Sequence, residues 1–117
     1  MSRDERLDWD RFISGAGDNE SAAELVTFYL DHTSEELAAL DASVRRGSVA
    51  EVELIAHRLA ATSATAGARA MVAPLVALEE MAQAGSLAGA KDAVALTHVA
   101  FAEIRALLAA RTSIGKG

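Results

Sequence analysis

Apolar residues recur every three or four positions along most of this chain, and that spacing most tightly constrains its fold. The clearest run follows Glu24. Its members are Val26, Tyr29, Leu30, Thr33, Leu37, Leu40 and Val44. Side chains at this spacing share one face of an α-helix, whereas a half-buried strand would alternate every second residue. Aromatic residues make up only 4% of the chain, which also favours helices over sheets.

The same pattern predicts four long helices and a short one before them. The short helix is indicated by Leu7, Trp9, Phe12 and Ile13, and it ends at Gly15 and Gly17. Capping boxes, in which two side chains satisfy free backbone N–H groups, are predicted at the first two long helix starts. These pairs are Ser21 with Glu24 and Ser48 with Glu51.

Short breaks that contain glycine separate the long helices. They fall at Gly47, at Gly67, and at Gly85 with Ser86. Pro74 lies in the third long helix, so that helix is expected to start late or to bend there. Long helices with such short connections predict an all-α fold, an antiparallel up-and-down four-helix bundle. The short N-terminal helix is expected to lie across one end as a lid.

Length and composition restrict the class of protein. At 117 residues we expect a single domain over 1–117, with about 112–117 as a loose tail. The absence of Cys excludes disulfides and thiolate metal sites, and the formal charge of −6 argues against nucleic acid. No apolar run approaches the ~20 residues that span a bilayer, so we expect a cytoplasmic protein without membrane contact, and a monomer.

His57 points away from the core of its predicted helix. With Leu59 at the centre of the buried face, Val52 and Ile55 fall within about 40° of it on a helical wheel. His57 lies about 160° away by the same geometry. The competing interpretation is a histidine in a helix that is buried on every side.

The surroundings of His57 are mostly small and apolar, unlike an ordinary solvated helix face. They include Leu54, Ala60, Ala61 and Ala64. An exposed apolar patch usually indicates that something docks there, so these residues and Arg58 are the predicted partner-binding surface. Phe28 of the preceding helix is expected either to be covered by Trp9 and Phe12 or to join this surface.

The run from Ala56 to Ser63, AHRLAATS, together with Gly67-Ala68, resembles the signature of histidine phosphotransfer (HPt) domains. The family pattern is broadly A-H-x-L-K-G-S-S, followed after a short gap by G-A. The likeness extends along nearly the whole chain, because the helices before and after the motif also resemble those of the family.

The resemblance implies that His57 is the phospho-accepting residue of a phosphorelay carrier. It implies a histidine kinase and a response-regulator receiver domain as partners, with Mg²⁺ on the receiver and no cofactor on this chain. Glu53 or water is expected to hold the second ring nitrogen. The sequence lacks a Gly-rich phosphate loop, so neither an ATP site nor autonomous kinase activity is expected.

Two positions depart from the family pattern. Ala60 stands where the family has Lys, which would place a positive charge near the phosphoryl group, and Ala61 stands where it has Gly. Arg58 or Arg69 is considered as an electrostatic substitute. By its wheel position, about 100° from the core, a Lys at position 60 is expected to reach solvent and to speed transfer a few-fold.

Two alternatives to the phosphate carrier are considered, and the sequence leaves only the first of them open. An HPt-like adaptor would regulate a receiver or another partner by binding alone, without carrying phosphate. A metal site within the bundle would need inward Glu-x-x-His spacing, which the sequence lacks. His32 and His98 fall near the edges of their buried stripes and are expected to be ordinary partly exposed histidines.

Overall fold

A computed structural model describes residues 5–14 and 16–112. Its elements are α1 (Trp9–Phe12), α2 (Asn19–Arg46), α3 (Val49–Ala66), a 3₁₀ turn (Arg69–Met71), α4 (Val72–Gln83) and α5 (Ala90–Thr112). Each long helix packs on two others, in the order α2, α3, α4, α5 and back to α2. The predicted all-α, antiparallel four-helix bundle is confirmed.

The predicted helix ends are partly correct. Gly47 and Gly67 take left-handed backbone angles after α2 and α3, with φ of 69° and 86°, as expected of C-terminal caps. The capping box at Ser21 is wrong, because Asp18 caps α2 and its carboxylate accepts the Ser21 N–H at 2.7 Å. Hydrogen bonds from Ser21 lower the pKa of Asp18. Ser48 does precede α3, but without a side-chain capping bond.

Helix α4 starts late, as Pro74 predicts. The 3₁₀ turn precedes it, and Pro74 is the third residue of the helix. Backbone N–H groups in a first turn have no partner within the helix, so the missing N–H of proline breaks no bond there.

The bundle core is aliphatic, with a few polar side chains bonded inside it. Completely buried side chains include Leu40, Val52, Leu59, Leu75, Leu78, Ile104 and Leu108. The Tyr29 hydroxyl lies 2.9 Å from the Ser63 hydroxyl and so links α2 to α3. Burial raises the pKa of Tyr29. This buried bond fixes α2 beside the part of α3 that follows His57.

The N-terminal segment closes one end of the bundle, as the predicted lid. The Asp8 N–H donates to the Gly67 carbonyl at 2.8 Å, and the Arg69 guanidinium pairs with the Asp8 carboxylate at 3.0 Å. Phe12 packs edge-on against Tyr29 with ring centroids 5.6 Å apart. A side chain at position 67 would collide with this segment, since a Cβ there would lie 2.7 Å from the Asp8 carbonyl oxygen.

Two expectations fall partly outside the described residues. Of the predicted tail, Thr112 is the last residue of α5, and residues 113–117 lie outside the described part of the chain. Gly15, expected to end the first helix, also lies outside it. Helix α1 ends at Phe12, before that position.

Helix α5 bears on the expectation that no apolar run is long enough to span a bilayer. By length and composition it could cross a membrane, with a mean hydropathy of 1.5 over its most apolar window. Core helices of soluble proteins can have the same length and apolar composition. In this bundle Thr97, Phe101, Ile104 and Leu108 of α5 are buried against the neighbouring helices. Its apolar composition therefore reflects its place in the core as well as an alanine-rich outer face.

Gly67→Ala should lower the free energy of unfolding more than Gly85→Ala. Both glycines have left-handed backbone angles, φ of 86° and 78°, where alanine costs about 1–2 kcal/mol. Only at position 67 does the new Cβ also meet the lid, because no heavy atom lies within 4 Å of the corresponding point at Gly85. Urea unfolding followed by circular dichroism measures both losses. Equal losses would contradict the close contact between Asp8 and Gly67.

Candidate functional site

His57 lies in the middle of α3 and projects into solvent. Its side chain is 68% exposed, while Val52 and Leu59 of the same helix are completely buried. The outward direction predicted from the helical wheel is confirmed. The alternative of a core histidine is wrong, because α3 is not buried on every side.

The imidazole is held by a carboxylate from the neighbouring helix α4. Nδ1 of His57 lies 2.7 Å from Oε2 of Glu79, whose side chain is only 19% exposed. Gln83, one turn further along α4, donates to the same oxygen at 3.5 Å. The expectation that Glu53 or water holds this nitrogen is wrong, because Glu79 occupies that position.

This contact fixes the roles of the two ring nitrogens. An ionised carboxylate only accepts hydrogen bonds, so the proton of a neutral imidazole belongs on Nδ1, where it donates to Glu79. Nε2 then keeps its lone pair. The arrangement therefore presents an exposed nitrogen nucleophile with a defined tautomer and a fixed ring orientation.

A shallow cavity of about 420 Å³ adjoins the ring between α3 and α4. It is lined by Ala50, Glu53, Leu54, His57, Glu79 and Gln83. Apart from His57, the ionisable side chains in this lining are the carboxylates of Glu53 and Glu79. The lining therefore offers hydrogen-bond acceptors and negative charge to a group attached at His57.

The two arginines considered as substitutes for the missing Lys are engaged elsewhere. Arg58 forms two bonds to Glu36 of α2, at 2.7 and 3.1 Å, and these bonds raise the pKa of Arg58. Arg69 pairs with Asp8 at the end of the bundle. Neither side chain lines the cavity at His57.

Ala60 was predicted to belong to the partner-binding surface, but the structure buries it. It is only 7% exposed, so the expectation that position 60 faces solvent is wrong. On the helical wheel Ala60 and Glu53 lie on the same side of α3, about 100° and 120° from Leu59. Glu53 lines the cavity shared with α4, so Ala60 packs on the α4 side. A Lys side chain there would have to pass between closely packed helices.

The other predicted surface residues are exposed around His57. Leu54 is 58% exposed, and Ala61, Ala64 and Arg58 also face solvent. Phe28 is 69% exposed, so its predicted cover by the lid is wrong. The lid aromatics pack on each other and on Tyr29 instead, and Phe28 stacks on His32 with ring centroids 5.9 Å apart.

A second groove continues this surface toward the lid. It measures about 540 Å³ and lies between α1, α2 and α3. Its lining includes Arg11, Leu25, Phe28, Ala61, Thr62 and Thr65. Ala61 is one turn of α3 beyond His57, so the groove and the exposed residues around the histidine form one continuous face.

Glu79 is the functional residue that the sequence analysis missed, although a signal for it is present. His57 lies ten residues before Gly67, and Glu79 lies eleven residues after Ala68. In two antiparallel helices joined by a short turn, residues equally far from the turn lie opposite each other. A carboxylate at that distance was therefore predictable as a partner of the ring.

The other two histidines show ordinary surface contacts. His98 lies 2.9 Å from the Asp41 carboxylate, between α5 and α2, and His32 stacks on Phe28. Within residues 5–14 and 16–112, no group of three or more His, Asp or Glu side chains is arranged to hold a metal ion.

His57→Gln should leave the free energy of unfolding within about 0.5 kcal/mol of the wild type, because the side chain is mostly in solvent. Leu59→Ala, two residues further along α3, should cost about 2–5 kcal/mol, because Leu59 is completely buried. Denaturant unfolding measures both. A loss for His57→Gln as large as that for Leu59→Ala would place the imidazole in the core.

Comparison with known proteins agrees with the helical-bundle fold. The crystal structure of histidine-containing phosphotransfer protein B (HptB) from Pseudomonas aeruginosa PAO1 has a similar fold, with a TM-score of 0.86 and 22% identity. The match covers 95% of this chain and 97% of that one. No curated protein matches the sequence. The sequence model of the Hpt domain matches residues 24–112, most of the chain, and the protein therefore belongs to the Hpt domain family.

Proposed function

We propose that this chain carries a phosphoryl group on Nε2 of His57, as a histidine phosphotransfer protein. It would receive the group from a histidine kinase or a receiver-domain aspartate and pass it to another response-regulator receiver. The observation that carries the proposal is the exposed imidazole whose Nδ1 is held by Glu79. This contact leaves the other nitrogen free toward solvent, where a partner can reach it.

The chemistry requires little from this chain beyond the oriented ring. The Nε2 lone pair attacks phosphorus of an aspartyl phosphate, an N–P bond forms, and the bond to the aspartate oxygen breaks. In the return step a receiver carboxylate attacks phosphorus and Nε2 leaves. Holding the ring in one orientation reduces the entropy lost when the two reacting atoms meet.

The partners are proposed to supply what the carrier lacks. Mg²⁺ would come with the receiver, and ATP chemistry would belong to the kinase, because this sequence has no Gly-rich phosphate loop. We propose a monomer, because one exposed His57 is enough for the exchange, and we place it in the cytoplasm with its proposed kinase and receiver partners.

The docking surface is proposed to be the face around His57. Leu54, Ala61, Ala64 and Phe28 are exposed there, and the groove near the lid continues it. Small side chains beside the ring let a partner approach closely. Arg58 stands at the edge of this face, paired with Glu36. Ala60 is left out because it is buried.

A binding-only adaptor is the second candidate, and the charge of the cavity favours it. A phosphoryl group on His57 would share its surroundings with the Glu53 and Glu79 carboxylates, and neither Arg nor Lys lines the cavity. Such an adaptor would bind a receiver without becoming phosphorylated. Incubation with a phosphorylated receiver separates the candidates, since only a carrier ends with acid-labile, base-stable phosphate.

His57→Gln should abolish phosphate transfer to this chain from a competent phosphorylated donor. His98→Gln is the matched control and should keep transfer, because His98 is paired with Asp41 on another part of the bundle. Radiolabelled phosphate that survives base and is lost in acid measures the phosphohistidine. Labelling of His57→Gln at the wild-type level would assign the phosphate to a different residue.

Ala64→Glu should reduce the transfer rate about fivefold to 150-fold, because it places a charge in an apolar docking face, which costs on the order of 1–3 kcal/mol. Ala95→Glu is the matched control, an exposed alanine of α5, which is diagonal to α3 in the bundle. Both variants should melt near the wild-type temperature. If the two variants transfer phosphate equally fast, Ala64 lies outside the interface.

A further inference from the structure

We propose that Glu79 keeps the Nδ1 proton on His57 after phosphoryl transfer, so that the phosphohistidine stays in its reactive, protonated form. This inference rests on the proposed function and deepens it. Glu79 is then a positioning residue both when His57 receives the phosphoryl group and when it gives the group up. The carrier is expected to pass the phosphoryl group on quickly rather than to store it.

The carboxylate is fixed well enough for this role. Its Oε2 atom lies 2.7 Å from Nδ1, and most of the Glu79 side chain is covered by the protein. Gln83 donates to the same oxygen from the next turn of α4. A short hydrogen bond to an ionised acceptor strengthens further when the donor becomes cationic.

The contact with Glu79 matters because the Nδ1 proton of His57 has to stay on the ring throughout phosphoryl transfer. When Nε2 of the neutral ring attacks phosphorus, the ring becomes a phosphoimidazolium that still carries its Nδ1 proton. When a carboxylate later attacks phosphorus, the N–P bond electrons return to Nε2, and the neutral ring leaves with the same proton. If Nδ1 lost its proton in between, an imidazolate would have to leave, and it is a far poorer leaving group.

The other charges near the ring act in the same direction or are neutralised. Glu53 of α3 lines the same cavity and also favours a positive ring. Glu80 follows Glu79 on α4 but lies on the exposed surface outside that lining. Arg58 of α3 would oppose a positive ring, but its charge is paired with Glu36 of α2. The local field therefore favours the protonated, labile phosphohistidine.

The test loads the full chain with phosphate from phosphoramidate, a small donor that needs no partner protein. Nε2 attacks its phosphorus, the donor P–N bond breaks, and ammonia leaves. The decay of the phosphohistidine is then followed by ³¹P NMR as a function of pH. Above neutral pH, Glu79→Gln should lengthen the lifetime about threefold to tenfold, because the amide keeps the shape but loses the charge.

Two matched variants separate the hydrogen bond from the general field. Glu80→Gln should decay like the wild type, and Glu53→Gln should show less than half the effect of Glu79→Gln. A Glu79→Gln lifetime equal to that of the wild type, or an equal effect of Glu53→Gln, would overturn the inference. Failure of the wild type to take phosphate on His57 from phosphoramidate and also from a phosphorylated receiver, with His57→Gln as the blank, would instead overturn the proposed function.

A measurement on the wild type alone covers the case in which Glu79→Gln does not fold. The ³¹P shift of the phosphoprotein reports protonation of the ring, and it can be titrated in buffer and in concentrated urea. Unfolding removes Glu79 from the ring, so the phosphohistidine should lose its proton at a lower pH in urea. Equal midpoints in the two solvents would also overturn the inference.

Discussion

The close packing of α3 on α4 is the contact on which the site depends. It brings Glu79, from a different helix, to within 2.7 Å of Nδ1 of His57. Small side chains on α3 make that approach possible, since Ala56 and Ala60 are 0% and 7% exposed. A longer side chain at either position would push the helices apart, and a shift of about 1 Å is enough to weaken a hydrogen bond of this kind.

This packing gives the departure at Ala60 a physical meaning. The position is buried toward α4, on the side of the helix that carries Glu53. A Lys there would send its charged end toward the carboxylates of the cavity and would compete with His57 for Glu79. Because residue 60 is alanine, the chain lacks the positive charge that the family's Lys would place there. The same small side chain lets α3 and α4 pack closely enough for His57 to contact Glu79.

The remainder of the bundle holds this pair of helices in place. Tyr29 bonds to buried Ser63 and ties α2 to α3, while the lid segment bonds to Gly67 at the turn that leads into α4. Both contacts lie on the C-terminal side of His57. They fix the angle between α3 and α4 at the turn that joins them. That angle determines which residue of α4 lies opposite His57.

Sequence periodicity was sufficient for the fold and for the direction of His57, because both follow from which face of a helix is apolar. It was insufficient for Glu79, because its contact with His57 crosses from α4 to α3. It was also insufficient for Phe28, because the exposure of that ring depends on where the lid lies. Ala60 shows a third limit. A wheel position of about 100° is ambiguous until the neighbouring helix is known to cover that side.

Glu79 sets the tautomer of His57 before any phosphate is present, because its carboxylate accepts a hydrogen bond from Nδ1. Long-range ¹H–¹⁵N NMR of the imidazole in the unphosphorylated protein, at a pH where the ring is neutral, tests it directly. We expect a protonated Nδ1 and an unprotonated Nε2 for His57, with that preference reduced in a Glu79→Ala variant. A neutral His57 that carries its proton mainly on Nε2 in the wild type would contradict this role of Glu79.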